Sequence, residues 1–241
     1  MTDQPHLGFL CSPDHSVFAG VAASLRERGL SVSFYDPDAP LSTETVRGLD
    51  AVVNKKTRPA SYVTLRRAAA LGVPTWNDFV VYCVCGFRLV GLHALDAVGY
   101  RTPPVSFDPP ADGDYVAKQA RSWDGVPIRN GEGDFYQPLL RTDARDLKYY
   151  GVFDGERVHV RVLEVTSKLD GEKRVLGRRE PDPALAANFR DLFDKTGAFA
   201  LGVDVVIADG DPYAVDVNAA PSFRGTGLDA AITDSIASLL P

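Results

Sequence analysis

The first third of the chain alternates between short apolar segments and segments whose apolar residues recur at helical spacing. The apolar segments span residues 6–10, 30–35, 49–54 and 74–76, and helical spacing is found over 16–28 and 62–71. Gly29 and Gly72 follow the helical segments as stop signals. Strands that alternate with helices predict a parallel sheet covered on both faces, so we expect an N-terminal α/β domain over residues 1–78.

The middle of the chain, residues 79–136, contains fewer regular elements. Residues 81–98 have the spacing of one helix, with Gly99 just past its end, and residues 115–119 and 135–140 read as short strands. The stretch 108–114 is polar and rich in Pro and Gly, and 122–133 has no periodic pattern, so both are expected to be loops.

The last hundred residues have the pattern of an antiparallel sheet. Strands at 146–153 and 157–165 flank Asp154-Gly155, and strands at 200–208 and 212–217 flank a second turn. A further Asp-Gly turn is expected at Asp170, within 168–174. Helices are predicted over 183–197 and 228–240, so residues 137–241 should form an α+β half.

Composition excludes several classes of protein. The 241 residues carry a net charge of −6, which argues against a nucleic-acid backbone as the main partner. No apolar run approaches the ~20 residues of a membrane span, and the N-terminus lacks the pattern of a secretion signal, so we expect a cytoplasmic protein with no membrane partner. Cys11, Cys83 and Cys85 lack zinc-ligand spacing and are expected to be buried thiols.

One segment near the C-terminus places acidic and amide side chains among valines. Asp216 and Asn218 are two residues apart on a predicted strand, so they face the same side. Asp204 lies on the partner strand, at a distance from the turn that brings it opposite Asp216. Buried carboxylates must be paired or bind a cation, and two carboxylates with an amide oxygen suit Mg²⁺ held by phosphates. The alternative is the solvated face of an ordinary hairpin.

The same segment, from Gly202 to Ser222, resembles the C-terminal signature of ATP-grasp enzymes, which include glutathione synthetases and glutamate-adding peptide ligases. In that family an Asp, and later an acid-x-Asn pair before a small-residue-Pro turn, bind the magnesium of MgATP. The resemblance implies that Asp204, Asp216 and Asn218 hold Mg²⁺, with Mn²⁺ as a substitute, and that the chain has the ATP-grasp fold. The family usually has Glu where this chain has Asp216.

Segments upstream extend the resemblance to the nucleotide site. Residues 115–118 are similar to the strand whose lysine contacts ATP phosphate, although a solvent-facing strand end would leave the same pattern. Residues 135–140 resemble the hinge that hydrogen-bonds adenine through its backbone, and Arg88 stands where the family has a phosphate-contacting Lys. The nucleotide-binding residues that the resemblance implies are Lys118, Arg88, Gln137, Pro138, Leu139, Leu140 and Asp146.

The chain departs from the family in its lid. The family has a helix between the positions of Pro103 and Lys118 and another between those of Lys118 and Gln137, and both gaps are too short for one here. We therefore expect residues 79–136 to form a reduced lid of strands and loops. In such a lid, residues 121–125 would take the place of the glycine-rich phosphate loop.

A basic cluster at Arg174, Arg178, Arg179 and Arg224 falls in predicted loops close to the acidic strands. In the ligases of this family, arginines of this region hold an acyl phosphate or an acidic acceptor. The resemblance therefore implies catalytic roles for Arg174, Arg178 and Arg179, because planar guanidinium groups suit carboxylate and phosphate. Solvated loop arginines are the alternative.

The activity that the resemblance implies is ATP-dependent ligation of a carboxylate to an amine or thiol through an acyl phosphate. A small-molecule kinase on the same fold is one alternative, and a non-catalytic nucleotide-binding subunit, favoured by the short lid, is another. The expected partner is a small-molecule or peptide carboxylate, and a homodimer is compatible with the sequence.

Overall fold

The computed structural model describes residues 4–167 and 174–240. Its N-terminal part is a parallel sheet of four strands, β1 (His6–Leu10), β2 (Ser31–Tyr35), β3 (Ala51–Asn54) and β4 (Thr75–Trp76), in the order β2-β1-β3-β4. The connections contain α1 (Phe18–Glu27), α2 (Thr43–Arg47) and α3 (Pro59–Leu71). The predicted parallel sheet is confirmed. The short helix α2, which begins where the Ser42 side chain accepts a hydrogen bond from the Thr45 amide, was not predicted.

The single helix predicted over 81–98 is wrong. The structure has two helices, α4 (Phe79–Gly86) and α5 (Arg88–Asp96), separated at Phe87, whose backbone is extended. Phe87 forms a β-bridge with Arg121, and the Arg88 amide donates to the carbonyl oxygen of Ala120 at 2.9 Å. The break therefore comes from a contact with a distant loop, which helical spacing cannot reveal.

The lid is a small antiparallel sheet of β5 (Tyr115–Lys118), β6 (Ile128–Arg129) and β7 (Phe135–Pro138), in the order β6-β5-β7. Residues 97–141, all of which the structure describes, contain no helix. The two gaps between Pro103 and Lys118 and between Lys118 and Gln137 therefore contain only strands and loops, as expected, whereas residues 79–96 are largely helical and the bounds of the lid segment stay a prediction. The predicted boundary between residues 136 and 137 falls inside β7.

The strands of the C-terminal half are β8 (Thr142–Phe153), β9 (Val158–Thr166), β10 (Val175–Arg179), β11 (Ala200–Ala208) and β12 (Asp211–Asn218), and its helices are α6 (Pro183–Thr196) and α7 (Asp229–Ala237). The strands form an antiparallel sheet in the order β10-β9-β8-β11-β12. The sequence predicts the antiparallel pairing but not the strand β10. Helix α6 packs closely on β8, because a side chain at Gly151 would lie 2.7 Å from the rings of Phe189 and Phe193. The Asp-Gly turn predicted at Asp170 lies outside the described residues.

The N-terminal sheet and the C-terminal half share one hydrophobic core. Phe9 and Phe18 of the N-terminal part belong to the same cluster as Leu163, Phe223 and Ile232. A second cluster lies between α6 and the other face of the C-terminal sheet. The shared core packs β1 and β3 on the face of the C-terminal sheet that β8, β9 and β11 form.

Candidate functional site

Three charged side chains form a row across neighbouring strands of the C-terminal sheet. Lys148 on β8 is paired with Asp204 on β11, and Asp204 is paired with Asp216 on β12. The predicted placement of Asp204 opposite Asp216 is therefore confirmed. A register shift directly after this pair interrupts the ladder between β11 and β12, and pairing resumes with Val205 opposite Ala214.

The adjoining row on the same face contains Tyr150, Gly202 and Asn218, again on β8, β11 and β12. The Asn218 side-chain oxygen accepts a hydrogen bond from the Ala220 amide at 2.7 Å, which fixes the amide group at the end of β12. Gly202 allows the following turn to approach, since a side chain here would lie 2.9 Å from Cβ of Pro221. Asp216 and Asn218 thus lie on one face, as predicted.

The electrostatics of the two carboxylates differ. Asp204 forms an ion pair with Lys148, and although burial of Lys148 opposes its charge, this pairing raises the pKa of the ammonium above its usual value. Burial raises the pKa of Asp216, and the neighbouring Asp204 raises it further, while Lys118 lowers it. Asp216 is therefore a half-buried carboxyl whose negative charge is only partly compensated.

Lys118 supplies positive charge from the lid side of the row. It is only 6% exposed, and its Nζ donates to the carbonyl oxygen of Val215 at 2.7 Å. Burial lowers the pKa of Lys118 to about 8, against the attraction of Asp216. Lys118 therefore contacts β12 and is not the exposed lysine that a solvent-facing strand end would have.

Asp204, Asp216 and Asn218 form a donor set for a hard cation. The described residues contain no cluster of three or more His, Cys, Asp or Glu side chains suited to a metal. A transition-metal centre built from protein ligands alone therefore has no candidate among them. Two carboxylates and an amide oxygen instead match the manner in which Mg²⁺ is bound, through few protein groups together with substrate phosphates.

A cavity of ≈ 320 Å³ lies against this face of the sheet. From the C-terminal half, its lining includes the Lys148–Asp204–Asp216 row, Asn218 and the residues around Ala220. The lining from the N-terminal part, called the N-terminal wall below, consists of His15, Lys55, Lys56 and Thr57. The volume suits a small ligand.

Lys55 is the most buried cation of the N-terminal wall, at 4% exposure. Its Nζ donates to the carbonyl oxygen of Ala220 at 2.7 Å and lies 5.4 Å and 6.0 Å from the ring centroids of Phe18 and Phe223. Burial lowers the pKa of Lys55 to about 7. Sequence reasoning missed this residue; the signal was a lysine directly after the apolar strand β3, at the carboxyl end of a parallel strand.

The remaining nucleotide-site residues lie on or near the lid. Arg88 is buried and donates to three carbonyl oxygens, those of Gln119, Arg121 and Gly125, so its guanidinium fixes the loop after β5. The Gln137 side chain is buried and donates to the carbonyl oxygen of Pro103 at 2.8 Å, which leaves only its backbone for a ligand.

The rest of the predicted hinge is more accessible. Leu139 and Leu140 are half-buried and Pro138 is exposed, while the Leu139 amide donates to the carbonyl oxygen of Asp114 at 2.9 Å. Asp146 is half-buried on β8, two residues before Lys148 and so on the same face.

The predicted arginine cluster is divided. Arg178 and Arg179 lie on the exposed edge strand β10, not in a loop: Arg178 donates to the carbonyl oxygen of Gly225, and Arg179 lies 3.3 Å from Glu164. Arg174 directly precedes β10, and its amide bonds Thr166. Arg224 lies apart from these three: its Nε donates to Oγ of Ser16, the residue after His15, at 3.3 Å. None of these four arginines lines the cavity.

Comparisons with protein-family models and with curated proteins found no match. Solved structures, in contrast, match almost the whole chain. D-alanyl-alanine synthetase A from Vibrio cholerae superposes with a TM-score of 0.74 at 10% identity, covering 99% of both chains. The ATP-grasp ligase PsnB, solved with a minimal precursor variant, Mg and ADP, gives a TM-score of 0.68 at 17% identity, covering 98% of this chain and 99% of that one.

A third solved structure is the ATP-grasp ligase associated with ribosomally made peptides from Chryseobacterium gregarium, in complex with ADP and a leader and core peptide. It matches with a TM-score of 0.70 at 14% identity, covering 98% of this chain and 96% of that one. The chain therefore has the ATP-grasp fold, as the resemblance of its sequence implied.

Proposed function

We propose that this protein is an ATP-dependent ligase that joins a carboxylate to an amine or thiol through an acyl phosphate. The observation that carries the proposal is the row of Lys148, Asp204 and Asp216, which lines the cavity together with Asn218, while Lys118 is bonded to the backbone of β12. Paired carboxylates with neighbouring ammonium groups are what the phosphates and metal of a nucleotide require. The ligases of like fold that bind Mg and ADP support this reading.

In this proposal Asp204, Asp216 and Asn218 would hold Mg²⁺, or Mn²⁺, together with the phosphates of ATP. The bound cation would neutralise charge on the transferred phosphoryl group. Lys118 would contact a phosphate as a point charge, while Lys148 keeps Asp204 ionised and oriented. Residues 137–140 would meet adenine through their backbone, with Asp146 nearby, and Arg88 would act by fixing the loop after β5.

The proposed reaction needs no nucleophilic side chain of the protein, because the two substrates supply the nucleophiles. A substrate carboxylate oxygen attacks the γ-phosphorus of ATP, the bond to the β–γ bridging oxygen breaks, and ADP leaves. The amine or thiol then adds to the acyl carbon and loses its proton, and phosphate leaves with the bonding electrons. The protein contributes position and fixed charge, which is the main source of acceleration in phosphoryl transfer.

The acyl substrate is proposed to be a small-molecule or peptide carboxylate. Structures of like fold are described as an L-amino acid ligase and as ligases bound to precursor peptides. Arg174, Arg178 and Arg179 remain predicted catalytic residues. Their exposure on and beside the edge strand β10 suits contact with the acidic part of a large substrate better than contact with the reacting atoms.

Nucleotide binding is tested by thermal denaturation with and without MgADP. We expect MgADP to raise the melting temperature, since a ligand that binds only the native state stabilises it by about 2.7 kcal/mol at a hundredfold excess over its dissociation constant. Lys118→Ala and Asp216→Asn should each reduce the shift at a fixed ligand concentration, whereas the exposed substitution Arg47→Gln should leave it unchanged. Calorimetry without binding up to millimolar MgADP or MgATP would refute the proposal.

Hydroxylamine distinguishes the ligase from its alternatives. If the enzyme makes an acyl phosphate, incubation with MgATP, candidate carboxylates and hydroxylamine should give a hydroxamate together with ADP and free phosphate. A kinase would give ADP and a phosphorylated product, without a hydroxamate and without free phosphate. The short lid supports one other candidate, a nucleotide-binding subunit, which would bind MgATP and form none of these products. The hydroxamate, measured over a panel of amino acids and acidic peptides, decides between them.

A further inference from the structure

The N-terminal sheet has a topological switch point that faces the cavity. In the order β2-β1-β3-β4, the chain passes from β1 to β2 on one side and then returns to place β3 on the other side of β1. Parallel sheets bind ligands outside the carboxyl ends of the strands at such a point. The residues that follow β1 and β3 here include His15, Lys55 and Lys56, all of which line the cavity.

Lys55 is a buried cation without an anionic partner. The ion pairs formed among the described residues include none to Lys55, and its one polar contact is the carbonyl oxygen of Ala220. An ammonium group has three donors, so further hydrogen bonds can be formed toward the cavity. Burial of an unpaired charge costs stability, and such a cost is retained at sites where a ligand supplies the missing charge.

His15 adds a directed donor to the same wall. Its Nδ1 lies 3.2 Å from the Val17 amide and 3.4 Å from the Phe18 amide, and it accepts from these groups. The proton of the neutral ring is therefore on Nε2. The charges around His15 are Lys55, Lys56 and Arg224, so this wall of the cavity is positive.

The two walls of the cavity have opposite charge and therefore different ligands. Asp204 and Asp216 repel a carboxylate unless a cation lies between them. The N-terminal wall, with His15 and the two lysines, contains no carboxylate, and it lines the same cavity as the proposed metal site. We propose that His15, Lys55 and Lys56 form an anion subsite that holds a carboxylate of the acyl substrate. The identity of the ligand rests on the proposed function, whereas the existence of an anion site rests on these residues.

The subsite is tested by NMR, with the ring signals of the four histidines as reporters. The probe is succinate, added at constant pH and ionic strength, with succinamide as the uncharged control. We expect succinate, and not succinamide, to shift the His15 signals saturably, while those of His6 and His93 stay in place. N-acetyl-glutamate α-amide keeps only the side-chain carboxylate, so it tests whether an acidic peptide side chain binds in the same way as a small free acid.

Two variants and two controls decide the role of the lysines. Lys55→Met should weaken succinate binding by about thirtyfold or more, since it removes one partner of a buried charged contact. Lys56→Gln, at an exposed position, should weaken it by a smaller factor and serves if Lys55→Met does not fold. Arg47→Gln and Arg66→Gln, each of which removes an exposed charge from the same sheet domain, should bind succinate as the parent does.

The outcomes separate this inference from the proposed function. If His15 does not respond to succinate, if Lys55→Met and Lys56→Gln bind it unchanged, or if Arg47→Gln and Arg66→Gln weaken binding as much as the lysine variants do, the subsite does not exist. If Lys55→Met loses the thermal shift with MgADP along with succinate, the lysine serves the nucleotide and the inference is wrong. An unchanged MgADP shift with weakened succinate binding supports the subsite, whatever the product of the reaction proves to be.

Discussion

Asp204 and Asp216 are direct neighbours in the sheet, yet their charges are compensated differently. Asp204 forms an ion pair with the buried Lys148, which holds the lysine in its charged form. Asp216 is affected first by burial, which raises the pKa of its carboxyl group. Asp204 therefore stabilises the fold in the absence of metal, whereas the ionised Asp216 lowers the free energy of unfolding.

This difference predicts opposite effects of two similar substitutions on the metal-free protein. Asp216→Asn should raise the melting temperature at neutral pH, because the folded state holds the carboxylate less readily than the unfolded state does. The gain should disappear as the pH falls below the usual value of 3.8, where both states are protonated. Asp204→Asn should instead destabilise the fold by about 3 kcal/mol, because Lys148 loses its partner. Thermal denaturation in EDTA between pH 3.5 and 8 measures both, and equal shifts in one direction would contradict the assignment.

At the scale of elements, the loop after β5 is fixed in place rather than left open. Arg88 donates to three of its carbonyl oxygens, and the Trp123 ring stacks on Tyr82 with centroids 5.7 Å apart. Gly86 permits this packing, since a side chain there would lie 2.7 Å from the Trp123 ring. A short lid with a fixed loop needs less ordering when a nucleotide binds than a long mobile one.

Replacing Arg88 tests whether it serves the loop or a phosphate. Arg88→Lys keeps the charge but offers one compact ammonium group in place of a planar fork, so most of the three contacts should be lost. We expect a destabilisation of about 2–3 kcal/mol and faster tryptic cleavage after Arg121. The exposed Arg101→Lys is the control. A smaller MgADP shift with unchanged cleavage would show instead that Arg88 acts on the nucleotide directly.

The predictability of each element depended on how local its cause is. The opposition of Asp204 and Asp216 follows from their distances to one turn, so the sequence contained it. The break at Phe87 comes from a bridge to Arg121, and β10 pairs with β9 beyond the turn predicted at Asp170, so neither has a local signal. Lys55 has a local signal in its position after β3, but its burial has none, because the rings of Phe18 and Phe223 that contact it come from opposite ends of the chain.

At the scale of the whole molecule, the side chain of Asn77 connects the N-terminal sheet to β11 and to the segment after β12. Asn77 is 2% exposed, and its Nδ2 donates to the carbonyl oxygens of Ala200 and Ala219 at 2.6 Å and 2.7 Å. Its Oδ1 accepts from the amides of Phe199 and Ala200 at 2.8 Å and 3.0 Å. The start of β11 and the end of β12 are thereby held against the N-terminal sheet, and with them the row that contains Asn218.

Asn77 therefore provides a test of whether the two halves unfold as one unit. Its backbone has a φ of 60°, which costs Ala about 1 kcal/mol and Gly almost nothing, so Asn77→Ala should be less stable than Asn77→Gly by about that amount. Both variants lose the four hydrogen bonds and should be destabilised by about 3–5 kcal/mol relative to the parent. Because the core is shared, scanning calorimetry should show a single transition that moves to lower temperature, with equal calorimetric and van't Hoff enthalpies. The MgADP shift should also decrease, since Ala219 follows Asn218 directly. Two separate transitions, of which only one moves, would show that the two halves unfold independently. Asn77 would then not position β11 and β12.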